Sequence, residues 1–217
     1  MIQLVGQYDS PFVRRAAVAL HHHRIPFERR VLSVFQDFEE MLGVSPLGKV
    51  PVLILEDRRE IFDSRAIIEY LESQGNGDLS LTPRNPADYL DMLRIEAVGI
   101  GLAEKTYERS IEFSRRAPGS HDPAWIARVE RQIASALAWL EDRTCGELFI
   151  GGRLSRADLA VAVATTYLAQ KLTRQFDTKR FARLAQHRKL CESMPAFKAA
   201  AYSEQEALAT GWRPEAG

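Results

Sequence analysis

The serine at position 10 is the first residue of the chain whose type and setting could support chemistry. Ser10 follows a short apolar run over residues 2–5 and precedes Pro11, and a serine before a proline is typical of a helix N-terminus. Its ordinary role there is to cap the helix. The same position also favours a thiolate, because the helix dipole and a hydroxyl donor both stabilise negative charge. The sequence alone leaves both roles open.

Asp63 and Ser64 form a second candidate site at the start of another helical pattern. Either residue can cap that helix, which is the ordinary interpretation. A helix N-terminus with a free hydroxyl also binds a carboxylate, and an adjacent aspartate can pair with an ammonium group. The Asp-Ser pair can therefore hold the α-amino acid end of a ligand.

Val50 and Pro51 open the most apolar run of the N-terminal half, residues 50–55. Proline removes a ladder donor, so it is expected at the start of a strand rather than inside one. Only about 5% of X-Pro bonds in folded proteins are cis. The residue pattern by itself therefore predicts a trans proline that opens a strand.

The elements that must position these residues occupy the first 76 residues in the order β-α-β-α-β-β-α. Apolar and β-branched runs predict the strands, and capping or turn residues precede the helices. The strands cover 2–5, 27–34, 50–55 and 60–62, and the helices begin near 11, 37 and 64. A segment rich in Gly, Asn, Asp and Pro then predicts a linker over 77–86.

Residues 87–217 carry helical patterns and no convincing strand pattern. The predicted helices, separated mostly by Gly or Pro, cover 87–114, 123–142, 156–171, 178–193 and 196–209. At the start of the third, Ser155 and Asp158 have the spacing of a capping box. We therefore predict an all-α domain for this part of the chain.

Composition and charge argue against several classes of protein. Among 217 residues, 29 Lys and Arg stand against 29 Asp and Glu, a balance that favours neither a nucleic-acid partner nor an anionic membrane. No stretch approaches ~18 apolar residues. Cys145 and Cys191 are far apart, which argues against a disulfide framework or a structural zinc site. We expect a cytoplasmic protein that holds no metal.

Two groups of basic residues are expected to have structural roles and not to form binding sites. His21, His22 and His23 are consecutive, and consecutive helical residues point about 100° apart. The three rings are therefore not expected to share one metal ion, and a solvated helix end is the expectation. Arg14 and Arg15 are likewise expected on a solvated face.

Four segments, taken together, resemble the cytosolic glutathione S-transferase family. They are SPFVR at 10–14, SPLGKVPVL at 45–53, FDSRAI at 62–67 and SRAD at 155–158. Their order and separation also match, and the resemblance covers nearly the whole chain. It implies an α+β N-terminal thioredoxin-like domain over 1–76, with a mixed four-stranded sheet, followed by an all-α helical-bundle domain over 87–217. Within the family, the chain resembles bacterial serine-type members of the tau, theta or zeta kind.

The resemblance also assigns binding residues for glutathione. Val50 would hydrogen-bond the cysteinyl part through its backbone, and the thioredoxin-like fold implies a cis bond between Val50 and Pro51. Asp63 and Ser64 would hold the γ-glutamyl end. Lys49 would approach the glycyl carboxylate.

The same resemblance gives the catalytic role to Ser10. Its hydroxyl would stabilise the glutathione thiolate, which would then be conjugated to a small apolar electrophile. A cysteine at this position would instead indicate thiol reduction. Tyr8 is the alternative to Ser10, since tyrosine-type relatives use a phenol near the end of the first strand. The electrophile would lie between the two domains, against the helical half.

The family resemblance further implies a homodimer and a role in detoxification, with glutathione as co-substrate. Two alternative functions stay open, because a fold does not fix a function. One is glutathione-dependent isomerisation or dehalogenation on the same scaffold. The other is a non-catalytic, glutathione-binding regulatory module.

Overall fold

Four short strands form one mixed sheet in a computed structural model that describes residues 1–75, 77–117 and 119–211. They are β1 Gln3–Val5, β2 Glu28–Arg30, β3 Val52–Ile54 and β4 Glu60–Phe62. The sheet order is β2-β1-β3-β4, in which only the β1–β2 pair is parallel. This confirms the expected four-stranded mixed sheet. The observed β2 and β3 are shorter than the predicted runs because both pair with β1, which has three residues.

Three helices accompany the sheet and complete the predicted order β-α-β-α-β-β-α. They are α1 Pro11–His22, α2 Phe38–Leu42 and α3 Ser64–Ser73. α1 packs against α3 and is the core helix, with Val13, Ala16 and Leu20 fully buried. Removal of such apolar side chains from water drives this packing.

The described residues of the helical half contain four longer helices: α4 Pro86–Arg115, α5 Pro123–Glu141, α6 Arg156–Lys171 and α7 Ala182–Ser193. Its described residues include an isolated bridge between Ile150 and Arg153 but no strand. α4 and α6 approach closely at Gly99, where a Cβ atom would lie 3.0 Å from the backbone of Ala160. The all-α prediction is confirmed. In the ranges that the structure describes, no helix is long and apolar enough to cross a membrane.

The last helical pattern, over 196–209, forms two short helices, so the prediction of one helix is wrong. They are α8 Pro195–Ala199 and α9 Glu204–Ala209. Ser203 starts α9, because its hydroxyl oxygen accepts the Glu206 N–H at 3.2 Å. Just before it, the Ala200 carbonyl accepts from Arg14 Nε at 2.8 Å, a bond that replaces the one a continuous helix would give it.

Backbone proximity divides the described chain into two compact units. One unit joins Met1–Ser80 with Met194–Gly211, and the other contains Leu81–Ser193. Residues Met194–Gly211, which are predicted to belong to the helical domain, therefore group with the N-terminal residues. The boundaries at 76, 86 and 217 stay a prediction. Asn76, Pro118 and residues 212–217 lie outside the described ranges.

Candidate functional site

The three predicted site segments meet at one end of the sheet. Val5 pairs with Val52, and Val52 pairs with Phe62, so these residues lie side by side across β1, β3 and β4. The chain leaves β1 after Val5 toward Ser10, enters β3 at Val52, and leaves β4 after Phe62 toward Asp63. The alternating strand directions therefore deliver all three segments to the same edge.

Gly6 brings the end of β1 close to the segment that precedes β3. Its φ of 128° is a conformation that glycine adopts readily and other residues rarely do. A Cβ atom here would lie 2.6 Å from Val13 Cγ2 and 3.0 Å from Val50 Cβ. The start of α1 and the Val50 segment therefore approach each other across a position that only glycine fits.

Ser10 is the N-cap of α1. Its hydroxyl oxygen accepts the Val13 N–H at 3.4 Å, and its backbone N–H donates to the Gln7 carbonyl at 3.1 Å. The side chain is partly exposed, and its hydroxyl hydrogen has no acceptor among residues 1–75, 77–117 and 119–211. Because a hydroxyl both donates and accepts, Ser10 can cap α1 and donate to a ligand at the same time.

Tyr8, the alternative to Ser10, is buried and held on two sides. Its side chain is 5% exposed, and the Arg29 guanidinium lies 3.5 Å from its ring centroid. The Glu206 carboxylate accepts its backbone N–H at 2.5 Å. Burial raises the pKa of Tyr8, although Arg29 opposes the shift. As a whole residue, Tyr8 is therefore less accessible than the partly exposed Ser10.

The peptide bond between Val50 and Pro51 is cis, as the family resemblance implied. The loop before it is fixed by Ser45, whose hydroxyl oxygen accepts the Lys49 N–H at 3.2 Å and whose carbonyl accepts the Gly48 N–H at 2.9 Å. The Lys49 side chain is exposed, whereas Val50 is half-buried. Lys49 can therefore present its ammonium group to an anion beside the loop.

Asp63 caps α3 in an unusual backbone conformation. Its φ of 71° lies in the left-handed region, and its carboxylate accepts the Arg65 N–H at 2.6 Å. Holding a non-glycine residue there costs about 1–3 kcal/mol, and residues held in such conformations cluster at functional sites. Because the side chain is exposed, the carboxylate can receive a further donor.

Ser64 is buried at the first position of α3, and its hydroxyl oxygen accepts from Arg15 Nη1 at 3.2 Å. This bond ties α1 to the start of α3. Arg14 and Arg15 are each 1% exposed, so the expectation of a solvated face is wrong. α1 packs against both α3 and α8, so it is covered on more than one side. The available signal was the run AAVAL at 16–20, which has no polar face.

The three consecutive histidines meet three different neighbours. The His21 ring lies 5.0 Å from that of Phe27, His22 Nε2 lies 2.9 Å from the Leu79 carbonyl, and His23 Nε2 lies 3.1 Å from the Glu72 carboxylate. His23 is 6% exposed, so the expected solvated helix end is wrong for this residue. Burial lowers the pKa of His21 and His22.

One buried group outside the predicted site has the residue types of a metal site. Ligand atoms of Asp158, His187 and Cys191 lie within 4.8 Å of one another. The Asp158 carboxylate already accepts the N–H groups of Phe149 and Ser155 and the Ser155 hydroxyl, and it lies 3.0 Å from His187 Nε2. Burial raises the pKa of the Cys191 thiol, which disfavours the thiolate that a metal requires. The group fits a hydrogen-bond network better than a metal site.

Comparison with known protein families gives a match to the N-terminal residues. Residues 4–78 match the family described as glutathione S-transferase, N-terminal domain. The uncharacterized GST-like protein YibF of Escherichia coli strain K12 is 31% identical over 167 residues, which are 77% of this chain and 82% of that protein. Glutathione S-transferase U17 of Arabidopsis thaliana is 27% identical over 170 residues, which are 77% and 73% of the two chains.

Several solved structures share the fold and contain glutathione or its sulfonate. A glutathione S-transferase from Methylobacterium radiotolerans, in complex with glutathione sulfonate, has a TM-score of 0.86 at 25% identity and covers 94% of this chain and 96% of its own. One from Methylobacillus flagellatus with glutathione bound has a TM-score of 0.85 at 25% identity, covering 94% and 100%. A family member from Pseudomonas fluorescens Pf-5 with bound glutathione has a TM-score of 0.83 at 27% identity, again covering 94% and 100%.

Proposed function

The chain belongs to the glutathione S-transferase family, and from this we propose that it binds glutathione in its N-terminal unit and conjugates it to a small apolar electrophile. Glutathione or its sulfonate in similar structures supports the choice of ligand. We further propose that the chain is a serine-type member of the tau, theta or zeta kind, in which Ser10 stabilises the thiolate. It is then a transferase of alkyl or aryl groups.

The observation that carries the proposal is the meeting of three segments at one sheet edge. The register of Val5, Val52 and Phe62 brings together the Ser10 turn, the cis-proline segment and the start of α3. Such an edge offers the Ser10 hydroxyl, the Val50 backbone groups and the N-terminus of α3, which suit a thiol, a peptide unit and a carboxylate respectively.

Within that edge, each part of glutathione has a proposed partner. The exposed Asp63 carboxylate pairs with the γ-glutamyl ammonium group, and the Ser64 position at the N-terminus of α3 receives the γ-glutamyl carboxylate. The Val50 backbone pairs with the cysteinyl unit. Lys49, whose side chain is exposed, attracts the glycyl carboxylate.

The thiol chemistry requires only a modest stabilisation from Ser10. A free thiol with a pKa of about 8.5 is mostly protonated at neutral pH, and lowering that pKa to about 6.5 takes about 2.7 kcal/mol of preferential stabilisation of the thiolate. A hydrogen bond to a charged group contributes about 1.5–3 kcal/mol, and the N-terminus of α1 adds about 0.3–1 kcal/mol. Together these two effects reach the required range.

The residue type at position 10 favours conjugation over thiol exchange. A serine cannot form the mixed disulfide that a cysteine forms with glutathione. In the proposed step, the thiolate sulfur forms a bond to an electrophilic carbon. In a substitution, the electron pair of the broken bond leaves with the displaced group. In an addition to an activated alkene, the electron pair of the π bond takes up a proton.

The proposal is tested by glutathione binding and turnover with the same protein preparation. We expect retention on a glutathione resin and turnover of an aromatic electrophile. Replacing Ser10 with Ala should lower kcat by up to about 10²-fold near neutral pH, because loss of the donor raises the pKa of the bound thiol and leaves less thiolate to react. Ultraviolet titrations should show this rise of the thiol pKa. Tyr8→Phe is the matched control and should change both quantities little.

The outcomes separate the competing functions. An unchanged thiol pKa in Ser10→Ala together with a raised one in Tyr8→Phe would transfer the role to the phenol. Binding without turnover of any electrophile in a panel would favour a regulatory module, and turnover of only isomerisation or dehalogenation substrates would favour those reactions. A homodimer, a cytoplasmic location and a role in detoxification stay predictions, and a monomer mass near 24.5 kDa in sedimentation would contradict the first.

A further inference from the structure

The turn that carries Ser10 is held by a residue from the other end of the chain. Glu206, on α9, accepts the side-chain amide of Gln7 with its backbone carbonyl at 3.3 Å and the backbone N–H of Tyr8 with its carboxylate at 2.5 Å. The Gln7 carbonyl in turn accepts the Ser10 N–H at 3.1 Å. One residue of α9 therefore binds two consecutive residues of the turn, and that turn fixes where α1 begins.

The carboxylate of Glu206 is itself fixed by Arg29. Arg29 Nη2 lies 2.8 Å and 3.0 Å from the two carboxylate oxygens, and the same guanidinium stacks on the Tyr8 ring at 3.5 Å. The two charged side chains are 18% and 32% exposed for Glu206 and Arg29 respectively, so water screens the pair only in part. Arg29 and Glu206 thus hold Tyr8 by its ring and by its backbone.

Two further contacts hold the chain on either side of Glu206. The buried Arg14, in the first turn of α1, donates Nε to the Ala200 carbonyl at 2.8 Å. At the opposite end, the Gln36 side-chain amide donates to the Ala209 carbonyl. Contacts on both sides of Glu206 therefore set the position of its carboxylate relative to Ser10.

We propose that Glu206 is a positioning residue for Ser10, which sets the direction in which the Ser10 hydroxyl donates to the glutathione thiolate. The proposal rests on the proposed function, since it requires that Ser10 contacts the sulfur. Small displacements of a catalytic group are costly, because hydrogen bonds weaken steeply when their angles depart from linear. Loss of the Glu206 carboxylate removes the acceptor of both the Tyr8 N–H and Arg29. The turn then loses the hydrogen bond and the ion pair that hold it against α9.

A double-mutant cycle distinguishes positioning from general support of the fold. Residues that act through one another give non-additive effects, whereas independent sites add. The four proteins are the parent, Ser10→Ala, Glu206→Ala and the double variant. The measurements are kcat, the KM for glutathione and the pKa of the bound thiol by ultraviolet titration.

We expect Glu206→Ala to lower kcat about tenfold and to raise the pKa of the bound thiol, with a smaller change in the KM for glutathione. In the Ser10→Ala background, the same substitution should change neither kcat nor the pKa of the bound thiol any further. Glu206→Gln keeps an acceptor for Tyr8 and loses the charge that holds Arg29, so its effect should be intermediate. The control is Glu204→Ala, on the exposed side of α9, which should leave both quantities unchanged.

The failures are distinguishable from one another. Effects that multiply in the double variant, or a bound thiol pKa that Glu206→Ala leaves unchanged, overturn the positioning role while Ser10→Ala still supports the proposed function. A bound thiol pKa that Ser10→Ala leaves unchanged overturns both proposals. If Glu206→Ala does not fold, Glu206→Gln and Arg29→Ala complete the cycle with Ser10→Ala under the same criteria.

Discussion

Ser10 and Ser155 are both N-cap residues, one in each unit, yet their hydroxyl groups have different surroundings. Ser10 is partly exposed and accepts one bond, from the Val13 N–H at 3.4 Å. Ser155 is 3% exposed, and its hydroxyl donates to the Asp158 carboxylate at 2.6 Å. The Ser155 hydroxyl hydrogen is therefore already bound within the protein, while that of Ser10 is available to a ligand.

The difference shows what separates a structural cap from a candidate catalytic one. In α6 the partner carboxylate lies three residues along the same helix, and Asp158 also receives the Ser155 N–H at 2.9 Å. In α1 the residue three positions after Ser10 is Val13, which offers no acceptor in its side chain. The nature of the residue three positions after the serine thus decides whether the hydroxyl is used locally.

The largest effect is expected from removing the acceptor of the buried cap. Asp158→Ala removes the carboxylate that accepts two backbone N–H groups and a hydroxyl and that lies beside a histidine ring; all of these contacts but the one to the Phe149 N–H are buried. Each buried unsatisfied donor costs about 1–3 kcal/mol, so the free energy of unfolding should fall by more than about 3 kcal/mol. Urea denaturation at neutral pH measures it.

Asp88→Ala is the matched control for that substitution. Asp88 also lies in the first turn of a helix, α4, but it is exposed and the cap there is Asn85. Its removal should cost about 0.3–1 kcal/mol through the helix dipole alone. Equal losses for the two aspartates would show that the buried network contributes nothing beyond the dipole.

The next effect concerns the close approach on which the Ser10 turn depends. Gly6→Ala places a Cβ atom 2.6 Å from Val13 Cγ2 at a φ of 128°. Backbone strain and overpacking together should lower the free energy of unfolding by about 2–4 kcal/mol. The Val50 segment would also be displaced, so the affinity for glutathione should fall in protein that is still folded.

Gly101→Ala provides the comparison within a helix. A Cβ atom there would meet nothing within 4 Å, and the residue lies inside α4, so the substitution should stabilise the chain by about 0.5–1 kcal/mol. Both variants are compared by urea denaturation and by glutathione titration. A Gly6→Ala protein as stable as the parent would contradict the contact that joins α1 to the Val50 segment.

The two serines themselves give the most direct contrast, with a smaller effect on stability. Ser10→Ala and Ser155→Ala each remove an N-cap and should each lower the free energy of unfolding by about 1–2 kcal/mol. Only Ser10→Ala should alter the ultraviolet signature of bound glutathione thiolate. A change of that signature in Ser155→Ala would mean that loss of a cap, rather than loss of a donor, perturbs the sulfur.

Local patterns predicted much of this molecule. The order of strands and helices in the N-terminal unit, the four long helices and the capping box at Ser155 follow from residues close together in the chain. The cis bond at Pro51 came from the family resemblance, since the apolar run itself favoured trans. Apart from the cis bond, each of these features depends on a few residues that are neighbours in the chain.

The missed features depend on contacts between residues that are far apart in the chain. Glu206 and Gln7 are separated by 199 positions, and no local pattern joins them. The residue type of Arg14 and Arg15 indicates a surface position, but the packing of α3 and α8 on α1, which buries them, is not visible in the local sequence. The break before α9 has the same origin, because the Ala200 carbonyl is bonded to Arg14. The roles proposed for residues at the glutathione sulfur also depend on contacts that no local pattern displays, and they stay predictions.

The smallest effect concerns the buried thiol of Cys191, which is expected to stay protonated, in contrast to the glutathione thiol at the proposed site. Cys191 is fully buried beside His187 and Asp158, and burial raises the pKa of its thiol. A thiol reagent should therefore modify the exposed Cys145 in folded protein and reach Cys191 only after unfolding. Mass spectrometry counts the labels, and Cys145→Ala should remain unlabelled until denaturant is added.

The same raised pKa has a consequence for stability at alkaline pH. The unfolded chain ionises Cys191 above about pH 8.5, whereas the folded chain keeps it protonated. Its contribution to stability is thus fully present below that pH and is lost as the pH rises, by about 0.8 kcal/mol at pH 9. Cys191→Ala should show a correspondingly smaller loss of stability between about pH 7 and 9. Equal losses in the two proteins would mean that the buried thiol ionises as readily as a free one, and the contrast with the thiolate site would fail.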